Sequence, residues 1–179
     1  MKAGTMSCSF DPKEIRVALL AGDHKMNIYK SKGKVSNLEE SAASKDISGH
    51  IGIAHTRWAT HGEPSTLNAH PHVSQNGRLA LVHNGIIENY SNLKTFLEGK
   101  GFTFKSSTDT EVLVQLIQFI QDEYGKDLEG AVVSALRRVT GAYAIAVVDK
   151  ENPDKIVVAR KSSPLVVGIG EDHKEFFLA

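Results

Sequence analysis

Short apolar runs, each bounded by turn residues, indicate strands in the first half of the chain. They lie at residues 17–20, 26–29, 51–56 and 79–83. The first two runs flank an Ala-Gly-Asp-His segment, which predicts a β-hairpin. Asn84-Gly85 is a turn dipeptide and predicts the end of the fourth run.

Helical signals are grouped in the middle of the chain, after a short helix near the start. Ser36 and Glu39 have the spacing of a capping box, which predicts a short helix that closes at Gly49. Longer helices are predicted over residues 89–100, 112–124 and 128–139. In the second of these, apolar residues recur every three or four positions, which predicts one buried stripe. The stripe consists of Leu113, Leu116, Ile117, Ile120 and Tyr124.

Strands return after Gly141. Apolar runs lie at residues 142–149, 156–160, 165–169 and 176–178, and Asn152-Pro153-Asp154 predicts a turn between the first two. Strand pairs joined by short turns, with helices grouped between them, favour antiparallel sheets covered by helices. The pattern therefore predicts one α+β domain.

Composition agrees with one domain and excludes several classes of function. The 179 residues are close to the usual size of one domain. Because 21 Lys and Arg balance 21 Asp and Glu, the basic excess that nucleic-acid binding needs is missing. No apolar run approaches the roughly 18 residues of a membrane span, and the first ten residues have no apolar signal core. The single cysteine, Cys8, excludes an internal disulfide and a thiolate metal cluster, and it fits the reducing cytoplasm.

The two ends of the chain differ from this pattern. Residues 1–16 show no strand or helix period and combine small and polar residues with Pro12, which predicts a poorly ordered arm before a domain over 17–179. The apolar strand at 176–178 stops at Ala179 without a turn or polar cap. We expect the natural chain to continue.

Histidines are concentrated in one stretch, where six of the eight lie between His50 and His83. Neutral imidazole is a common metal ligand, so a metal site is one interpretation. Against it, the stretch has no His-Glu-x-x-His helix, no cysteine partner and no carboxylate at ligand spacing except Glu63. We expect loop backbone groups to bond these rings instead.

Arg57 and Trp58 follow a predicted strand and begin a loop rich in glycine and proline. Loops of this kind often hold binding side chains on a rigid scaffold. A guanidinium can bind a carboxylate through two hydrogen bonds, and a tryptophan can cover an apolar part of a ligand. The alternative is a surface ion pair beside a core aromatic ring.

Asn84, Gly85 and Asp109 each allow two interpretations. Asn84-Gly85 is a turn dipeptide, or an amide and a backbone N–H that together could stabilise an oxyanion. Asp109 lies in a helix-capping segment, Thr108-Asp109-Thr110-Glu111, where a carboxylate favours the helix N-terminus. It could instead pair with a substrate ammonium group.

Taken together, six segments resemble one family, the glutaminase domain of glutamine–fructose-6-phosphate aminotransferases, which are class II glutamine amidotransferases. The segments are His-Thr-Arg-Trp-Ala-Thr-His-Gly-Glu-Pro-Ser (55–65), Asn-Ala-His-Pro-His (68–72), His-Asn-Gly-Ile-Ile-Glu-Asn (83–89), Thr-Asp-Thr-Glu (108–111), Gly-Ala-Tyr-Ala (141–144) and Ser-Pro-Leu-Val-Val-Gly (163–168). The resemblance covers residues 17–179.

This resemblance implies an N-terminal-nucleophile hydrolase fold, a four-layer αββα sandwich of two antiparallel sheets. It also implies site residues and their roles. Asn84 and Gly85 would form the oxyanion hole, and Asp109 would hold the α-ammonium of glutamine. Arg57 would bind the α-carboxylate, with Thr60 and His61 in the same loop, and Trp58 would gate the exit of ammonia. The family uses no metal or other cofactor in this domain.

The resemblance extends to the whole enzyme. It implies transfer of ammonia to fructose 6-phosphate in separate isomerase domains, which are absent from this sequence, to form glucosamine 6-phosphate. The resemblance also implies a homo-oligomeric full-length enzyme in the cytoplasm. Another class II amidotransferase remains an alternative, because relatives share the arginine and the Asn-Gly pair.

One departure from the family concerns the nucleophile. The family uses an N-terminal cysteine followed by Gly-Ile-Val-Gly, whose α-amine activates the thiol. No Cys-Gly-Ile occurs in these residues, and the first strand of the family has no counterpart before Val17. Cys8 is followed by Ser9 and Phe10, and we expect it to be an unreactive thiol on the arm. A glutamine-binding module without hydrolysis is therefore the alternative to an active glutaminase.

Overall fold

The structure, a computed structural model, describes residues 14–20, 24–32, 35–56, 67–171 and 174–179. The strands in these ranges are β1 (Glu14–Leu20), β2 (Met26–Lys32), β3 (Ile51–Thr56), β4 (His72–Val73), β5 (Leu79–Ile87), β6 (Gly141–Asp149), β7 (Asn152–Lys161), β8 (Val167–Ile169) and β9 (Phe176–Leu178). The helices are α1 (Val35–Ala42), α2 (Tyr90–Glu98), α3 (Asp109–Tyr124) and α4 (Leu128–Leu136).

Seven of these strands build two antiparallel sheets. Sheet A has the order β2-β1-β3 and sheet B the order β4-β5-β6-β7, while β8 pairs with β9. The predicted hairpin is confirmed, because β1 pairs with β2 from Leu20↔Met26 onward. The predicted arm over 1–16 is wrong at its end, since residues 14–16 extend β1 and pair with β2. Residues 1–13, including Cys8, lie outside the described part of the chain.

Alternating side chains on the strands separate two apolar layers. On β5, Leu79 and Leu81 pack among the residues of α2, α3 and α4, whereas Ala80 and Val82 face sheet A. Sheet A fills the layer between the sheets with Ala18, Leu20, Met26, Ile28, Ile51 and Ile53.

Helix α1 covers the outer face of sheet A. It contacts β1 and β2, and its buried Leu38 and Ala42 are not part of the layer between the sheets. Helices therefore lie outside both sheets, which confirms the expected α+β fold, a four-layer αββα sandwich.

Helix α3 is buried more completely than its sequence predicted. Four of the five stripe residues are buried, but the fifth, Tyr124, is exposed. Between Thr110 and Gln121 every residue of α3 is buried, because sheet B, α2 and α4 all pack against it. The buried polar side chains of α3 find hydrogen-bond partners. For example, Gln115 Oε1 accepts the backbone N–H of Gln75 at 2.9 Å.

Several predicted ends of helices and strands are wrong. Helix α1 ends at Ala42 rather than at Gly49, and Ser36 lies inside it. Residues 152–154 belong to β7 instead of a turn. The chain reverses one step earlier, where Asp149 Oδ1 accepts the N–H of Glu151 at 2.9 Å.

Candidate functional site

The seven predicted site residues divide into two groups. Asn84, Gly85 and Asp109 lie in the described part of the structure, on β5 and at the start of α3. Four others lie outside the described residues: Arg57, Trp58, Thr60 and His61. Their roles remain predictions from sequence.

Asn84 and Gly85 lie within a strand, so their interpretation as a turn is wrong. β5 continues to Ile87 and pairs Asn84 with Ala144 and Gly85 with Tyr143 of β6. Gly85 has a φ of +136°, and a Cβ atom there would lie 2.1 Å from the carbonyl oxygen of Ala142. The strand can continue because glycine tolerates both this backbone conformation and the close approach of β6.

In the C-terminal half of β5, one edge of the strand has no neighbouring strand among the described residues. β4 pairs with β5 only at Ala80 and Leu81, so within the described residues Asn84 and Gly85 have a strand partner on the β6 side alone. Both residues are exposed to solvent. An amide and a backbone segment are therefore presented together where a ligand could reach them.

Asp109 connects α3 to the same strand. Its Oδ2 accepts the backbone N–H of Ile87 on β5 at 2.8 Å. The helix cap is the preceding residue, because the Thr108 side chain accepts the N–H of Glu111. Asp109 is thus the first residue of α3, where the helix dipole favours its negative charge. Its side chain keeps 23% of its surface exposed, which leaves acceptor positions for a cation.

Four histidines and two threonines form a cluster between Asn84 and Asp109. This histidine–threonine cluster consists of His55, His70, His72, His83, Thr108 and Thr110. Its centre is the Thr110 hydroxyl, which lies 3.0 Å from both His70 Nε2 and His83 Nδ1 and donates to Asp109 Oδ1 at 3.4 Å. A hydroxyl has one proton and two lone pairs, so when Thr110 donates to Asp109 it can accept from both rings.

The cluster reaches Asn84 through His55. His55 Nε2 lies 2.8 Å from Asn84 Oδ1, and the His55 ring meets the His70 ring edge to face at a centroid distance of 4.4 Å. His72 extends the cluster on the other side, where its Nε2 lies 3.0 Å from Thr108 Oγ1. Two predicted site residues on different elements, Asn84 and Asp109, are therefore linked by one set of contacts.

The sequence did not predict this cluster. It predicted backbone partners for the histidines, whereas the hydrogen bonds that join the cluster run to the side chains of Thr108, Thr110 and Asn84. The pattern that could have predicted the cluster is the alternation of side chains between the two faces of β5 and of β3. Asn84 follows Ala80 and Val82 on the face toward sheet A, and His55 follows Ile51 and Ile53 on the face toward sheet B.

Burial keeps His83 neutral near pH 7. Removal from water lowers the pKa of His83 from its usual 6.5, and the charge of Asp109 and the backbone of Ala142 only partly oppose this. His83 Nδ1 lies 4.0 Å from Asp109 Oδ2, but a neutral ring forms no ion pair. His83 therefore does not neutralise the negative charge of Asp109.

Stability should fall as the pH drops below the ordinary pKa of histidine, because folded His83 resists protonation. The unfolded chain binds that proton more readily than the folded one, so this part of the free energy of unfolding is present above pH 6.5 and is lost as the pH falls through the lowered folded pKa. The slope from this group should approach about 1.4 kcal/mol per pH unit at most. Denaturant unfolding of wild type and His83→Asn between pH 7.5 and 5 measures it. Equal slopes in the two proteins would contradict the assignment.

The described residues contain neither a metal-binding arrangement nor a membrane-spanning helix. Among the described residues, no three His, Cys, Asp or Glu side chains are arranged to hold a metal ion. In the same parts of the chain, every helix is too short or too polar to cross a bilayer.

Comparison with known families supports the resemblance found in the sequence. Residues 39–177 match the family model described as a glutamine amidotransferase domain. The chain belongs to this family. The match includes β3, β5, α3 and β6, so every described site residue of this glutamine amidotransferase domain lies within it.

Relatives of this amidotransferase domain are aminotransferases of greater length. The chain is 64% identical over 163 residues to the glutamine–fructose-6-phosphate aminotransferase (isomerizing) of Bacteroides thetaiotaomicron, covering 91% of this chain and 26% of that protein. It is 56% identical over 167 residues to the protein of the same name from Chlorobaculum tepidum, with the same two coverages. The chain thus spans about a quarter of the length of these curated relatives.

Solved structures agree with the fold of this amidotransferase domain. The glutamine phosphoribosylpyrophosphate amidotransferase of B. subtilis, complexed with ADP and GMP, matches with a TM-score of 0.75 and 29% identity, over 90% of this chain and 34% of that chain. A glutamine aminotransferase class-II domain protein from Silicibacter pomeroyi matches with a TM-score of 0.65 and 18% identity, over 92% of this chain and 79% of that chain. The second match supports the fold alone.

Proposed function

We propose that the chain binds glutamine and is the glutaminase part of a glutamine–fructose-6-phosphate aminotransferase. The observation that carries the proposal is the contact network that joins Asn84, through the histidine–threonine cluster, to Asp109. Glutamine presents an ammonium, a carboxylate and an amide carbonyl, and it needs one complementary group for each.

Asp109 is the proposed partner of the α-ammonium group. One carboxylate oxygen accepts from Ile87 and the other from Thr110, and each oxygen can accept a further hydrogen bond. Because His83 is neutral, it does not compete with the ammonium group for this charge. The bond to Ile87 also fixes the carboxylate relative to β5, where the amide end of glutamine would bind.

Asn84 and Gly85 are the proposed oxyanion hole. The side-chain amide of Asn84 and the backbone N–H of Gly85 would donate to the oxygen of the glutamine side-chain carbonyl as negative charge develops on it. Glycine at this position lets a ligand approach the backbone closely. The exposure of both residues and the open edge of β5 support this role.

Arg57 is the proposed partner of the α-carboxylate, with Thr60 and His61 beside it in sequence and Trp58 as a gate for ammonia. This part of the proposal rests on the resemblance of residues 55–65 to the family. A guanidinium can bind a carboxylate through two parallel hydrogen bonds, which suits this task.

The proposed acceptor of the ammonia is taken from the name of the relatives. The name of these relatives includes fructose 6-phosphate and an isomerizing reaction. We propose the same acceptor here, bound by domains that this sequence does not include, in a homo-oligomeric enzyme that uses no cofactor in the glutaminase domain and makes glucosamine 6-phosphate in the cytoplasm. We also propose that residues 17–179 are the part of the chain that corresponds to the family domain.

Glutamate binding tests the proposal without any hydrolysis. In the 179-residue polypeptide, Arg57→Ala should weaken glutamate binding by about 10- to 100-fold. The shortened side chain leaves the α-carboxylate of glutamate without its partner, at a cost of about 1 to 3 kcal/mol. Asp109→Asn should weaken it by a similar factor, since the amide keeps an oxygen for Ile87 N–H but loses the charge. Titration calorimetry gives the affinities, and Cys8→Ala should bind like wild type.

Two outcomes would contradict the proposal in different ways. Equal affinities for wild type and Arg57→Ala would remove the role of Arg57 and leave that of Asp109 standing. Absence of glutamine and glutamate binding by a folded wild-type polypeptide would remove the proposed function of this chain.

A further inference from the structure

We propose that His55 is a positioning residue that turns the Asn84 amide so that its N–H groups face the ligand. The proposal deepens the oxyanion-hole assignment of Asn84 and rests on the proposed function in that respect. The hydrogen bond from His55 to Asn84 and the fixed orientation of the His55 ring carry it.

The direction of the His55–Asn84 hydrogen bond is set by chemistry. The Asn84 atom in the contact is Oδ1, which can only accept, so His55 Nε2 must donate its proton across the 2.8 Å. An imidazole ring donates from Nε2 both in this neutral tautomer and when protonated. The contact therefore persists in either charge state of His55.

This direction decides which end of the amide is available. An asparagine amide has an acceptor oxygen at one end and two N–H donors at the other. When Oδ1 is bonded to His55, Nδ2 lies on the side away from the ring. The opposite orientation would aim a carbonyl at a developing oxyanion and would repel it.

The orientation of the His55 ring is limited by its contact with His70. Its edge-to-face contact with His70 at 4.4 Å limits rotation, and His70 is itself bonded to the buried hydroxyl of Thr110. His55 lies on β3 of sheet A, whereas Asn84 lies on β5 of sheet B. The hydrogen bond thus joins the two sheets at the site, and Asn84 depends on a residue from the other sheet for its orientation.

His55 acts through Asn84 and does not touch the ligand, so its test needs a signal from the amide itself. In wild type, the two side-chain N–H protons of Asn84 should give separate, narrow NMR signals, assigned by their loss in Asn84→Ala. His55→Leu should move both signals toward those of an exposed asparagine. His55→Gln can place an amide N–H where Nε2 lies, so it should keep the wild-type signals.

A matched control separates positioning from general packing. His72→Leu removes another ring of the histidine–threonine cluster, one that contacts His70 and Thr108 but is not the partner of Asn84 Oδ1. It should leave the Asn84 signals in place. If His55→Leu does not fold, the ¹⁵N shifts of the His55 ring in wild type still decide the matter, because Nε2 must carry the proton.

Ligand pairs test the consequence for binding. Glutamate and norvaline share the same carbon chain, but norvaline lacks the side-chain carboxylate that would bind Asn84. His55→Leu should weaken glutamate binding about tenfold and leave norvaline binding unchanged, whereas His55→Gln should restore glutamate binding.

The outcomes distinguish this proposal from the proposed function. An unprotonated His55 Nε2, or Asn84 signals unchanged in His55→Leu, would overturn the positioning role. Equal losses of glutamate and norvaline affinity would overturn it as well. If wild type binds neither ligand, the proposed function fails, and the NMR signals alone decide whether His55 orients Asn84.

Discussion

Replacing Gly85 by alanine is expected to lower the free energy of unfolding by about 3 kcal/mol or more. Two physical costs add at this position. A φ of +136° is strained for any residue with a Cβ atom, at about 1 to 3 kcal/mol. The new methyl group would also lie 2.1 Å from the Ala142 carbonyl oxygen, and separating β5 from β6 to relieve it costs a similar amount.

Gly77 offers a matched control for this prediction. It also has a positive φ, +70°, but a Cβ atom there would meet nothing within 4 Å. Gly77→Ala should therefore lower the free energy of unfolding by only about 1 kcal/mol. Urea unfolding of both variants measures the difference. Gly85→Ala as stable as Gly77→Ala would mean that the close approach of β6 at the site is wrong.

The polypeptide of these 179 residues is expected to release no ammonia from glutamine. In the family that it resembles, a cysteine followed by Gly-Ile supplies the thiol and its own α-amine activates it, and these residues contain no such sequence. Loss of an activated nucleophile lowers the rate by several orders of magnitude, even where substrate binding is kept. A coupled assay for ammonia measures this directly.

Cys8 is the internal control for this prediction. Its neighbours, Ser9 and Phe10, do not match the family motif. Ammonia release by wild type that disappears in Cys8→Ala, with a thiol-directed glutamine analogue attached to Cys8, would refute the prediction. Glutamate binding without hydrolysis would instead match a binding site that lacks its nucleophile.

The histidine–threonine cluster has a clear purpose if the proposed site is correct. Asn84 and Asp109 lie on different elements, and a ligand as small as glutamine would need both in a fixed relation. The Thr110 hydroxyl lies within hydrogen-bond distance of His70, His83 and Asp109. These contacts would hold Asn84 and Asp109 in one geometry.

The sequence alone predicted features that depend on local spacing. The hairpin of β1 and β2, the capping segment at Thr108 and the α+β class follow from turn residues, capping residues and apolar period, which act over a few neighbouring positions. The family followed from motif residues in order along the chain, and the comparison of residues 39–177 agrees.

Only the tertiary structure decided which residues meet across elements. Asn84-Gly85 has the local sequence of a turn, yet pairing with β6 keeps it in a strand. His55, His70 and Thr110 are far apart in sequence, and their contacts exist because two sheets and α3 converge at one point. Local spacing contains no information on such convergence, since it depends on how whole layers pack.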